Sequence, residues 1–84
     1  MSLLQGMEDA RKVELLLSLT SIKSEPVKDA LRLHLVKGSS VRDASYICEI
    51  TQSNFLRALA TLKETNDTVN QIQDINWRHL KNKE

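Results

Sequence analysis

Four polar side chains near the middle of the chain could form hydrogen bonds with a nucleic acid. A Gln or Asn side chain can bind the edge of an adenine through two hydrogen bonds, and an Arg can bind guanine or a phosphate. A Ser hydroxyl can bind either a base edge or the backbone. The set comprises Gln52, Ser53, Asn54 and Arg57. These residue types at this spacing are typical of the first turns of a helix that faces a duplex.

Apolar residues within and before this stretch indicate how such a helix would be held. Phe55, Leu59 and Leu62 recur at helical spacing and would anchor the helix on the side opposite the arginine. Ala44 is a small residue in the preceding short helix, where the two helices of a helix-turn-helix cross closely. The predicted apolar side of that short helix comprises Ala44, Ile47 and Cys48. The connection between the two helices has CE where a helix-turn-helix normally has a glycine, and it is one residue longer than the commonest form. These residues alone therefore leave open the alternative of a helical bundle whose polar side is merely solvated.

The charge of the chain is unevenly distributed. The whole chain has a net charge of +1, whereas residues 37–63 carry four basic and two acidic side chains, a net charge of +2. This weak basic excess favours contact with phosphates. We expect Lys37, Arg42 and Lys63 to neutralise phosphates, together with the lysines at the end of the chain. The candidate DNA contacts are completed by Ser40, Thr51 and Thr61.

Helix signals predict the elements that position these residues. Only two glycines and one proline interrupt a sequence that is rich in helix formers. Ser24 is a good N-cap, and Gly38 is placed to end the helix that Ser24 starts. Ser39 or Ser40 caps the next helix, and a fourth helix begins near Gln52.

The remaining signals complete the predicted fold. ETNDT, residues 64–68, predicts a break or kink before a last helix, since Asn, Asp and Thr side chains bond their own backbone. We therefore predict an all-α fold, a small helical domain of four to five helices containing a helix-turn-helix. The length has room for a single domain over residues 1–84, with its core at about residues 8–80.

The first predicted helix, residues 8–20, is apolar on two sides. One side comprises Val13, Leu16 and Leu17, and the other adds Leu15 and Leu19. A chain of this length buries only about 60% of the surface that its unfolded form exposes, so we expect the second apolar side of this helix to contact another subunit. The alternative is the central helix of a monomer, which has the same pattern. We interpret Trp77 as a packing or interface residue rather than a platform for base stacking. The oligomer-interface candidates are Val13, Leu15, Leu19 and Trp77.

The sequence contains no residues at catalytic or metal-binding spacing. Cys48 is the single cysteine, which excludes an intramolecular disulfide and an all-thiolate zinc site. His34 lies in an apolar helical stripe, which favours a packing role, and His79 lies on a different element. We therefore predict no enzyme activity, catalytic residue, cofactor, metal or small-molecule ligand. The longest apolar run, residues 15–17, is too short to cross a bilayer and no secretory signal is present, so we predict a cytoplasmic protein without a membrane partner.

Two spaced motifs precede the polar stretch, L-x-x-I-x-S and then V-x-x-A-x-x-x-x-L-V-x-G, followed by a serine-capped helix and a helix that contains Phe55. The motif residues are Leu19, Ile22, Ser24, Val27, Ala30, Leu35, Val36 and Gly38. With this joint spacing, Leu15 to Leu62 resembles the core of the PapB-type regulators of adhesin (fimbrial) operon transcription in enteric bacteria. The chain has Val41 and Ser45 where that family tends to have a basic residue and a cysteine.

The resemblance implies a small all-helical protein that binds AT-rich DNA upstream of fimbrial promoters and self-associates on several neighbouring sites. It also implies that the longer turn is normal for the family. The expected partners are double-stranded DNA and further copies of the chain, in a homodimer or higher homo-oligomer that is nucleoid-associated when bound. AT-rich preference can arise in either groove, so the groove stays open. The alternative is a helical protein-interaction module, an adaptor or anti-regulator, that does not bind DNA.

Overall fold

The structure is a computed structural model that describes residues 2–81, and of residue 81 only the backbone. Within these residues the chain forms helices and no strand, so the all-α prediction is confirmed. The helices are α1 Ala10–Ser18, α2 Glu25–Leu35, α3 Val41–Ile47 and α4 Gln52–Lys81. No helix in the described part of the chain has the length and hydropathy of a transmembrane segment.

The first three helices begin at side chains that cap them. The Ser24 hydroxyl caps α2 as predicted, and the cap of α3 is Ser40 rather than Ser39. The N–H of Asp43 donates to Ser40 Oγ at 3.1 Å. Asp9 caps α1 by accepting from the N–H two residues later at 2.7 Å, so α1 begins at residue 10 and not at residue 8. Each cap supplies an acceptor for a backbone N–H that has no partner within its own helix.

All four helices contribute to one apolar core. Its buried side chains are Leu3, Val13, Leu16, Leu17, Ala30, Leu31, Leu35, Ala44, Phe55, Leu59 and Leu62. His34 is buried beside them, with its ring edge-on to Phe55 at a centroid distance of 5.5 Å. Its Nδ1 lies 2.8 Å from the carbonyl oxygen of Ser39. His34 therefore joins the core to the α2–α3 turn, in agreement with the packing role predicted for it.

The predicted break at residues 64–68 is wrong, because these residues lie within α4, a continuous helix of 30 residues. The Thr65 hydroxyl donates to the carbonyl of Thr61 at 3.0 Å, and the Thr68 hydroxyl donates to the carbonyl of Glu64 at 3.1 Å. Asn66 between them is buried. The threonine side chains thus bond one turn back along the helix instead of competing with it. The described residues form four helices, which is within the predicted four to five.

A segment before α1 packs across the end of α2, which the sequence did not indicate. The N–H groups of Gly6 and Glu8 donate to the carbonyls of His34 and Leu35 at 3.0 and 3.1 Å. Gly6 and Gly38 both have positive φ, and a Cβ on Gly6 would lie 2.9 Å from the Gly38 Cα. Glycine at residue 6 therefore permits the close backbone approach by which this segment satisfies the last carbonyls of α2.

Candidate nucleic-acid interface

The turn between α3 and α4 forms without a glycine. Glu49 has φ +57°, a left-handed conformation that usually requires glycine. The N–H of Glu49 donates to the Tyr46 carbonyl at 3.2 Å, and the N–H of Ile50 donates to the Ser45 carbonyl at 3.0 Å. These two bonds make a Schellman motif, the common way to end a helix, with Glu49 at the position where glycine is preferred. The turn is consistent with the predicted helix-turn-helix, at the cost of strain at Glu49.

Thr51 precedes α4 and caps its first turn. Its Oγ1 accepts from the N–H of Asn54 and its carbonyl accepts from the N–H of Phe55, both at 3.0 Å. The predicted anchoring face is confirmed for Phe55, Leu59 and Leu62, which are buried, and Ala58 beside them is half-buried. The start of α4 at residue 52 agrees with the prediction.

The predicted polar contacts of α4 lie on its solvent side. The exposed members are Thr51, Gln52, Ser53, Asn54, Arg57 and Lys63. Thr61 is half-buried, and its hydroxyl donates to the Arg57 carbonyl at 3.2 Å. Before α4, the exposed candidates are Lys37, Ser40 and Arg42. The structure thus leaves nine of these ten candidates exposed, and Lys83 from the predicted basic tail lies outside the described residues.

The buried side of α3 differs from the prediction. Ala44 is buried and Cys48 half-buried as expected, but Ile47 is 62% exposed and Ser45 is buried instead. Because α3 has only seven residues and packs against both α2 and α4, its buried side turns towards Ser45 and away from Ile47. Burial also raises the pKa of the Cys48 thiol, and the nearby Asp29 carboxylate raises it further.

The cations of the two halves of the chain differ in their partners. In α1 and α2, Glu14 accepts from Arg32 Nε at 2.6 Å and from Nη2 at 2.9 Å, and Asp29 accepts from Nη1 at 2.7 Å. The Arg32 hydrogen bonds hold the pKa of the Glu14 carboxyl below its usual value. Within the described residues no carboxylate pairs with the side chains of Lys37, Arg42, Arg57 and Lys63. Among the described Lys and Arg side chains without a carboxylate partner, all but Lys23, in the loop between α1 and α2, therefore lie on α3, α4 and the turn before α3.

The oligomer candidates divide into two groups. Leu15, Leu19 and Trp77 are exposed, at 68%, 64% and 64%. Val13 is fully buried inside this chain, so a second subunit has no access to it. Val13 and Leu15 are two residues apart and therefore lie on opposite sides of α1, which explains why one packs in the core and the other does not.

Sequence reasoning assigned no role to Tyr46, although it lies on the solvent side of α3, one helical turn after Arg42. That spacing was the available signal, because residues four apart are neighbours on a helix surface. No group of His, Cys, Asp and Glu suited to a metal ion occurs in the described part of the chain.

Comparison with known proteins decides the family. The family model described as PapB, adhesin biosynthesis transcription regulatory protein, matches residues 1–75. The chain belongs to the PapB family. Its fold is similar to the crystal structure of Escherichia coli FocB, with a TM-score of 0.81 and 26% identity over 88% of this chain and 84% of that one. The search of curated proteins finds no significant match.

Membership of the PapB family confirms the resemblance drawn from the spaced motifs. It places the chain in a family described as regulators of adhesin or fimbrial operon transcription, which is not an enzyme class.

Proposed function

We propose that the chain binds double-stranded DNA through α3, the following turn and the first half of α4, and so regulates transcription of a fimbrial or adhesin operon from AT-rich promoter DNA in the cytoplasm. The observation that carries the proposal is the set of exposed cations without carboxylate partners on this surface, next to exposed hydrogen-bonding side chains. Phosphates are the natural partners of such cations, and most non-specific affinity comes from neutralising them.

The exposed side chains divide into two roles in this proposal. Arg57 and the side chains of the first turn of α4 face a groove, where Gln, Asn and Arg can bind base edges. Phosphates are contacted by Lys37, Arg42 and Lys63, and the hydroxyl contacts come from Ser40, Thr51, Ser53 and Thr61. The Thr51 and Thr61 hydroxyls keep an acceptor or donor capacity beyond their bonds within α4, because a hydroxyl both donates and accepts.

Self-association completes the proposed function. Leu15 of α1 and Leu19, the C-cap of that helix, are exposed apolar side chains beside Val69 and Gln73 of α4, and together they line one groove. Trp77 lies one helical turn further along α4. A second copy that covers this surface would double the number of DNA contacts and raise affinity through effective concentration. We therefore propose a homodimer or higher homo-oligomer as the form that occupies DNA.

Arg57→Ala tests the DNA contact directly. Fluorescence anisotropy with a labelled AT-rich duplex should show about tenfold weaker binding, because loss of an arginine contact to a base edge removes about 1–3 kcal/mol. Lys23→Ala is the matched control: Lys23 is also an exposed cation without a carboxylate partner within the described residues, but it lies in the loop between α1 and α2. It should bind the duplex as wild type does.

Two results would contradict the proposal. If wild type binds no duplex at about 50 mM salt, where phosphate contacts are strongest, the chain does not act on DNA by this surface. A non-DNA-binding protein-interaction module would then be the better hypothesis, with the groove between α1 and α4 as its contact surface. If Arg57→Ala binds as tightly as wild type, the assignment of this helix face is wrong.

A further inference from the structure

Tyr46 is the most exposed large apolar or aromatic side chain in the described part of the chain, with 85% of its surface open to solvent. It forms no side-chain hydrogen bond and no ring contact within the described residues. An aromatic ring left in water gains nothing from folding, since its stabilising effect comes from burial. The packing of the chain therefore does not account for a tyrosine at this position.

Tyr46 forms one wall of a notch of about 570 Å³ between α3 and the first turn of α4. The notch is lined by Arg42, Asp43, Ser45, Tyr46, Ile50 and Gln52. Its floor includes Ser45, whose Oγ is buried and has no hydrogen-bond partner within the described residues. The notch thus combines a guanidinium, a phenol ring and an amide around a polar group that the folded chain leaves unsatisfied.

This combination matches the chemistry of a sugar–phosphate unit. A guanidinium binds phosphate oxygens through directed hydrogen bonds, and an aromatic ring can pack against the apolar face of a deoxyribose. Arg42 and Tyr46 are one helical turn apart, so they are neighbours on the same side of α3. The Asp43 carboxylate also lines the notch and repels a small free anion. A phosphate in the notch must therefore belong to a larger molecule that is bound at other places on the chain as well. A duplex bound along α4 meets that requirement.

We propose that the notch holds one sugar–phosphate unit of the duplex, with the Tyr46 ring packed against the deoxyribose and the Arg42 guanidinium on its phosphate. The inference rests on the proposed function and adds to it a contact residue and the part of the DNA that this residue touches. Because the backbone is the same in every sequence, Tyr46 supplies affinity without sequence preference.

The test compares three variants in anisotropy titrations with two duplexes of equal length, one AT-rich and one of mixed sequence. Tyr46→Ala should weaken binding about five- to tenfold on both duplexes, as expected for loss of a ring that becomes buried on binding. Tyr46→Phe keeps the ring and should stay within about twofold of wild type. Ile47→Ala is the matched control, because Ile47 is the exposed neighbour but lines a different groove, between α3 and α2. It should leave binding unchanged.

The salt dependence separates the two contacts in the notch. Tyr46→Ala should leave the slope of log affinity against log salt unchanged, whereas Arg42→Ala should reduce that slope by about one phosphate contact. Three results would each overturn the inference and leave the proposed function standing. They are wild-type affinity of Tyr46→Ala, an equal loss of affinity in Ile47→Ala, and a loss of affinity in Tyr46→Ala on the AT-rich duplex alone. Absence of duplex binding by wild type would overturn both.

Discussion

The two halves of α4 belong to one continuous helix but have opposite surroundings. The packed half, residues 52–70, buries Phe55, Leu59, Leu62 and Asn66 against the other helices. In the exposed half, residues 71–80, every side chain is exposed. A helix of 30 residues is about 45 Å long, which is most of the 53 Å length of the molecule. The packed half thus belongs to the globular core, and the exposed half extends from it.

The comparison shows that the helical spacing of the sequence extends further along α4 than the packing of α4 against the other helices. Val69, Gln73, Trp77 and Leu80 continue the core-facing side of α4 at helical spacing, and the last three lie beyond residue 70, where every described side chain is exposed. An isolated helix of about ten residues is marginal in water. The exposed half is therefore held by its continuity with the packed half and, in the proposal above, by a second copy of the chain. Four predictions test this contrast, from the largest expected effect to the smallest.

Phe55→Ala should be the most destabilising of these changes. Removing this fully buried ring from the packed half should lower the free energy of unfolding by about 3–5 kcal/mol, a large part of the stability of a small domain. Urea denaturation followed by circular dichroism measures the change. Leu56→Ala is the control on the same helix, since Leu56 is half exposed and should change stability by less than about 1 kcal/mol. Equal losses in the two variants would contradict the packing described here.

Trp77→Ala should act on association and not on the fold of one chain. We expect the dissociation constant of the homo-oligomer to rise about tenfold or more, as for an aromatic residue at the centre of an interface. Sedimentation equilibrium over a range of concentrations measures it, and unfolding of the dilute protein should stay as in wild type because Trp77 is exposed. Unchanged association would remove Trp77 from the proposed interface.

Glu49→Gly should stabilise the turn between α3 and the packed half of α4. Glycine adopts the left-handed conformation without the Cβ strain that Glu49 carries, so the variant should gain about 0.5–1 kcal/mol. For a domain of this length that gain raises Tm by roughly 2–8 °C. Glu49→Gln serves as the control, since it keeps the strained backbone and changes only the charge. A Tm for Glu49→Gly at or below that of wild type would contradict the turn geometry.

Asp74→Asn should have the smallest effect, and only in the exposed half. Asp74 accepts from Arg78 Nη2 at 3.0 Å, one turn apart and in solvent. Such an exposed pair contributes about 0.3–0.5 kcal/mol, and salt screens it. Amide hydrogen exchange should therefore accelerate slightly at residues 71–81 and stay unchanged at residues 52–70. A change spread over both halves would show that they are not separate in stability.

The sequence was sufficient for the features that depend on neighbouring residues. The Ser24 cap, the start of α4 at Gln52 and the buried Phe55 face follow from capping preference and helical spacing, and both act within a turn or two. The family was also recognisable, because the joint spacing of several motifs is specific even where each single motif is not.

The features that sequence reasoning missed depend on contacts between distant segments. The Gly6–Gly38 approach joins residues 32 positions apart. Burial of Ser45 in place of Ile47 follows from how α3 packs between two other helices. α4 runs unbroken through residues 64–68, where Asn66 is buried, and residue preference does not reveal that burial.

The central claim, that α3 and the packed half of α4 bind a duplex, is tested most directly by NMR. Amide resonances of the isotope-labelled full chain would be followed during titration with a short AT-rich duplex. The proposed function predicts the largest shifts at residues 40–46 and 51–61, with salt-dependent affinity. Shifts confined to residues 71–81, or none at low salt, would contradict it.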